Sequence, residues 1–139
     1  MAMWIIYALL SAFFAALVAI FGKMGLQNAD TTLATAIRAV IMAAFLIVAA
    51  LLSGSFSCLN DLNSKALQLI ALSGLAGAMS WLFYFLALKN GPATGVVALD
   101  RLSIIFVVIF ALIFLGEKIT WQSGAGAILI VIGAVLISL

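Results

Sequence analysis

The chain has 139 residues, 68% of them hydrophobic and 7% charged, with a formal net charge of +2. Ordinary soluble domains are roughly 45–50% apolar and about 25% charged, so this chain has too little polar surface to cover itself in water. The small charge, with no basic cluster, argues against nucleic-acid binding.

Lipid removes the need for a polar surface, but backbone groups in hydrocarbon must still be paired, which leaves helices or a closed barrel. Barrel strands alternate polar and apolar residues over about ten positions. This sequence runs apolar without interruption instead, so the predicted class is an all-α membrane protein with short loops. About 20 apolar residues cross the hydrocarbon core, and five stretches reach that length. In chain order they are residues 3–22, 31–52, 66–88, 93–115 and 119–139. Together they make one five-helix domain over 1–139.

The apolar run from Ala2 to Gly22 has no basic start and is long for a signal peptide, so it reads as a retained first span. Asn28 to Thr32 supply capping oxygens before the second span. Ser53-Gly54-Ser55 and Asn60 to Ser64 bracket the longest loop. Asn90-Gly91-Pro92 breaks the chain before the fourth span, where Pro92 suits a helix start. Gly116-Glu117-Lys118 makes the last turn, with Glu117 expected to favour the start of the fifth span through the helix dipole. Short loops make successive spans antiparallel neighbours. Small residues recur at helix-packing spacing: Ser11, Ala15 and Ala19, then Ser73 and Gly77, then Gly126 and Gly133. Packing within the bundle is the expected use of these stripes. Trp4, Tyr7 and Trp121 lie near span ends and read as interfacial anchors.

Charge sets orientation only weakly. Lys23, Lys89, Arg38 and Arg101 belong nearer one side, against Lys65 and Lys118 on the other. Loop residues alone are balanced. The positive-inside rule therefore leans slightly toward a cytoplasmic C-terminus, and so small a bias permits both orientations in one population.

The costly residues are Arg38, Asp100 and Arg101. A charge near mid-helix costs roughly 2.5–3.5 kcal/mol on insertion scales. Arg38 and Asp100 lie at a similar depth of ~10–12 Å from the same side, so a pair between them is possible. Arg101 points about 100° away from Asp100 and must snorkel, pair elsewhere or face a cavity. One reading is a structural ion pair that fixes register. The other is a polar cavity with surplus positive charge, able to meet a carboxylate or phosphate. Ser80, Trp81 and Tyr84 share a face of the third span, where they line a binding cavity or form a packing stripe. Ser103 is one turn from Asp100 and can line the same face. Histidine is absent and Cys58 is the single cysteine. Neither a metal site nor a Ser-His triad can be assembled, no cofactor is expected, and an enzyme has the least support.

Several segments carry a family likeness. Ala36-Ile37-Arg38-Ala39, Ala87 to Ala93, Leu99-Asp100-Arg101-Leu102-Ser103, Phe114 to Trp121 and the glycines of the last span resemble an EamA-type domain of the drug/metabolite transporter superfamily. The likeness covers essentially the whole chain. It implies a multi-pass protein of the bacterial inner membrane that moves small organic metabolites. Many relatives carry two such domains with inverted halves, so a lone domain implies an antiparallel homodimer working by alternating access. The cavity would involve Arg38, Trp81, Tyr84, Asp100, Arg101 and Ser103. Many relatives have a proline after the serine of the fourth span; Ile104 and Ile105 stand here, so a gating kink is absent or lies elsewhere. The first span lacks the glutamate used by small multidrug exporters. The competing reading is a non-transporting subunit that assembles with or regulates another membrane protein.

Overall fold

A computed structural model describes residues 3–139, apart from the side chains of 59 and 60. Ala2 and the Asn60 side chain, which enter the sequence reading, lie outside the described set. Six α-helices follow in order: α1 (Met3–Gly25), α2 (Thr31–Leu52), α3 (Ser64–Asn90), α4 (Ala93–Asp100), α5 (Ser103–Phe110) and α6 (Trp121–Ser138). A 3₁₀ helix, Ser55–Asp61, occupies the longest loop, and a π-helical turn, Ala111–Leu115, extends α5. Five segments are long and apolar enough to cross a membrane: α1, α2, α3, the composite Ala93–Leu115, and α6.

At most 6% of the residues in the apolar core of any span are buried within the protein. Phe14, Phe45, Leu46 and Ile128 are all exposed. Burial away from water thus cannot come from the protein's own core; the apolar side chains need lipid. Helical hydrogen bonds satisfy the backbone, as hydrocarbon demands. This is a multi-pass membrane protein.

The chain divides into two compact units, one joining the residues up to Lys23 with Asn90–Leu139, the other comprising Met24–Lys89. In the second unit Asp30 caps α2, its carboxylate accepting from the Leu33 amide at 2.8 Å, as the capping pattern predicts. Ser53 closes the helix, and Gly54 takes the left-handed conformation, φ 69°, to leave it. Lys89, in the last turn of α3, donates to the Ala29 carbonyl at 2.9 Å, which brings the end of α3 to the loop before α2. The two helices therefore run antiparallel with matched ends. Leu26, Thr31, Phe85 and Leu88 are buried near that end.

In the first unit α4 packs on α6. The two come close at Gly95, where an added Cβ would stand 3.8 Å from Ser138 Cα and 3.4 Å from Pro92 Cγ, both ordinary van der Waals contacts. Pro92 sits just before α4, as its fixed φ suits. Lys23 donates from the last turn of α1 to the Gly91 carbonyl at 2.9 Å.

Several expectations change in detail. Residues 93–115 are not one continuous α-helix but α4, α5 and the π-helical turn. Ala19 is buried, as packing requires. Gly77, Gly126 and Gly133, however, have open space where a Cβ would stand, so those stripes are not clamped within the single chain. Glu117 does not sit at a helix start. α6 begins at Trp121, and Thr120 caps it by accepting from the Ser123 amide. The dipole acts within about one turn, and Glu117 stands four residues before Trp121.

Candidate functional site

A groove of about 550 Å³ lies between α2 and α3 within the Met24–Lys89 unit. Its α2 wall carries Thr32, Thr35, Ala39 and Met42, spaced by three and four residues so that they share a face. Its α3 wall carries Gly74, Gly77, Ala78 and Trp81 on the same periodicity. Small residues create the space. A Cβ on Gly74 or Gly77 would meet nothing within 4 Å.

Arg38 supplies the charge in this groove. Seven residues past Thr31, it lies ~10 Å from the start of α2. Trp81, nine residues before Asn90, lies ~13 Å from the matched end of α3. The two side chains meet: the guanidinium carbon is 3.6 Å from the Trp81 ring centroid and 5.3 Å from that of Phe85. At 3.6 Å the planar cation is stacked on the indole face, the geometry in which the ring quadrupole attracts it. Tyr84 stands edge-on to Trp81 with centroids 5.4 Å apart and an interplanar angle of 80°. Buried Phe85 stands 5.9 Å from Trp81 and 6.0 Å from Tyr84. Tyr84 and Phe85 thus brace the ring that holds Arg38.

Magnitudes show what the stack leaves undone. A cation–π contact contributes about 0.5–2 kcal/mol, against roughly 2.5–3.5 kcal/mol for placing an arginine within a span. Stacking uses the guanidinium face and leaves the N–H edges. Among the described residues of this unit no carboxylate or carbonyl takes those N–H groups.

Asp100, Arg101 and Ser103 lie in the other unit, where the span itself is interrupted. Asp100 ends α4 and Ser103 begins α5. Between them the bonding tightens. The amides of Arg101, Leu102, Ile104 and Ile105 donate to carbonyls three residues back, at 2.9–3.1 Å. A 3₁₀ stretch inside a long helix has poorer hydrogen-bond geometry and often marks a hinge. Asp100 and Ser103 are exposed. Arg101, also exposed, lines a second cavity of about 430 Å³ with Ala16 and Ala19 of α1, Thr94 and Val97 of α4, and Ile137 of α6.

Arg38 and Trp81 are therefore brought together, with Tyr84 behind Trp81. Phe85, Thr35 and Gly74 were not singled out from the sequence, and Thr32 and Gly77 were read there only as a capping and a packing residue. Helical spacing could have found them: Phe85 is four residues after Trp81, and Thr35 three before Arg38. Among the described residues no three His, Cys, Asp or Glu side chains gather to hold a metal ion.

An open-sided groove with one stacked cation, carried on membrane-spanning helices, defines a multi-pass membrane protein with a polar site inside its spans. The EamA-like transporter family matches residues 2–139, and the chain belongs to that family. A Sinorhizobium protein described as an uncharacterized transporter in the cobO 3′ region is 41% identical over 135 residues, covering 97% of this chain and 96% of that protein. No solved structure matches.

Proposed function

We propose that this protein carries small organic metabolites across the bacterial inner membrane by alternating access, working as an antiparallel homodimer. The observation that carries the proposal is Arg38, stacked on Trp81 in a groove lined by two membrane-spanning helices. Intramembrane charge marks substrate pathways more often than packing. The 3₁₀ interruption after Asp100 supports the moving part: a weakened point in a span bends at lower cost than a continuous helix. Family membership and the Sinorhizobium relative's description support transport. The near balance of loop lysines supports insertion in both orientations, and two oppositely inserted copies rebuild the inverted-repeat arrangement common to transporters. Arg38, Trp81, Tyr84, Asp100, Arg101 and Ser103 contribute to the route.

Reconstitution tests the reading. Purified protein in liposomes is expected to accelerate counterflow of at least one member of a panel of small organic solutes. Arg38→Ala and Asp100→Ala should each lower that flux. Cysteine labelling from the two faces of the membrane should find both orientations. Protein that forms stable dimers yet moves no solute in the panel, and is recovered bound to another membrane protein, would favour the subunit reading.

A further inference from the structure

The chemistry of the α2–α3 groove restricts what it can hold. We infer that it selects a monoanionic carboxylate with an apolar body, the carboxylate on the N–H edge of Arg38 and the body over Gly74, Gly77 and Ala78. The inference rests on the transport reading and narrows it to a cargo class. A guanidinium presents N–H donors in a planar fork that matches a carboxylate with two parallel hydrogen bonds. With one face laid on Trp81 at 3.6 Å, that fork is already oriented, so binding costs less side-chain entropy. Among the described residues that line the groove, Arg38 is the only charged one. One cation matches a monoanion, whereas a phosphate dianion would leave charge uncompensated in a low-dielectric site.

The remaining walls suit an apolar body. Apart from Arg38, Trp81, Met42 and the threonines, the lining is leucine, alanine or glycine. A Cβ at Gly74 or Gly77 would meet nothing within 4 Å, so the groove is open above them. At about 550 Å³ the groove falls within the roughly 300–1,000 Å³ usual for small-molecule sites. The Thr35 hydroxyl donates to the Thr31 carbonyl at 2.7 Å, so it faces a ligand only as an acceptor. Thr32 and the Trp81 indole are the other lining groups able to donate, and among the described lining residues Arg38 alone offers charged donors.

The test compares 4-phenylbutyrate with its neutral amide. Binding is read from Trp81 fluorescence in a Trp4→Phe/Trp121→Phe background, in nanodiscs of zwitterionic phosphatidylcholine that offer no anionic headgroup. The acid is expected to bind at least tenfold more tightly than the amide. Arg38→Gln should remove that preference, bringing the affinities for acid and amide to within about twofold of each other. Arg38→Lys, which keeps the charge but loses the fork, should keep only part of it. Gly77→Leu should weaken both ligands by filling the groove. Equal binding of acid and amide to the protein with Arg38 intact, or a preference that survives Arg38→Gln, overturns the inference. Flux of the two compounds through proteoliposomes separates the claims. Neutral amide carried as fast as acid overturns the cargo class and leaves transport standing, whereas acid bound through Arg38 but never carried upholds the site and removes the transport reading.

Discussion

Two intramembrane arginines are supported in different ways. Arg38 stands in the unbroken helix α2, its cation laid on Trp81, whose ring is braced by Tyr84 and Phe85. Arg101 stands where the backbone itself gives way, between α4 and α5, with amides reaching back three residues instead of four. The first region is ordered by side chains on regular helices, and the second has its irregularity in the backbone. Rigid elements hold binding groups in place, and weakened ones allow a change of shape. Under the proposed transport reading, recognition belongs to the α2–α3 groove and movement to the interrupted span.

Substitutions at Arg38 and Trp81 should produce the largest effects. Arg38→Ala and Trp81→Ala are each expected to lower proteoliposome flux at least tenfold, with Trp81→Phe retaining more activity because a phenyl face still attracts the cation. Equal losses from Trp81→Phe and Trp81→Ala would show that the stacked cation is not the reason Trp81 matters. Asp100→Ala should cut flux several-fold with little change in the acid-over-amide preference of the groove. A lost preference would erase the division between the two regions. Hydrogen exchange sharpens the contrast: amides 101–105 should exchange faster than amides 35–45 of α2, and similar protection would mean the 3₁₀ stretch is no softer than ordinary helix.

Smaller effects are expected where only local structure is at stake. Gly116 ends the π-helical turn at φ 65°, and the Glu117 amide closes on the Ala111 carbonyl at 3.2 Å. Left-handed backbone costs a non-glycine residue about 1–2 kcal/mol, so Gly116→Ala should lower Tm measurably, and Gly116→Asn less. Asp30→Ala removes one cap and should cost about 0.5–2 kcal/mol, read as a modest fall in Tm with flux per folded molecule unchanged.

Much of the fold is legible in apolar run length. The second span matches α2 at both ends, because Asp30 supplies a cap and Ser53-Gly54 an exit. Pro92 marks the start of α4 for an equally local reason. The interruption at Arg101–Leu102 is harder to read. No glycine or proline marks it, and its flanks, Val96 to Leu99 and Ile104 to Val108, have the composition of ordinary span. The helix in the long loop is missed because serine-rich segments read as turns, yet Ser57 bonds back to the Gly54 carbonyl and favours 3₁₀ geometry there. Site residues divide along the same line. Arg38, Asp100 and Arg101 stand out because charge is costly in lipid. Phe85 and Gly74 do not, since an apolar or small residue in a span is unremarkable until a neighbouring helix gives it something to face.

Transport through the α2–α3 groove requires that it be wet while other faces of the same helices meet lipid. Single cysteines at Ala39, in the groove, and at Phe45, which is 72% exposed, compare the two in a Cys58→Ser background, since native Cys58 is itself exposed. With a charged, membrane-impermeant thiol reagent, the protein with Ala39→Cys should be labelled readily and be protected by 4-phenylbutyrate, while Phe45→Cys should resist. If Ala39→Cys proves as unreactive as Phe45→Cys, the groove is dry and Arg38 does not face a transport route.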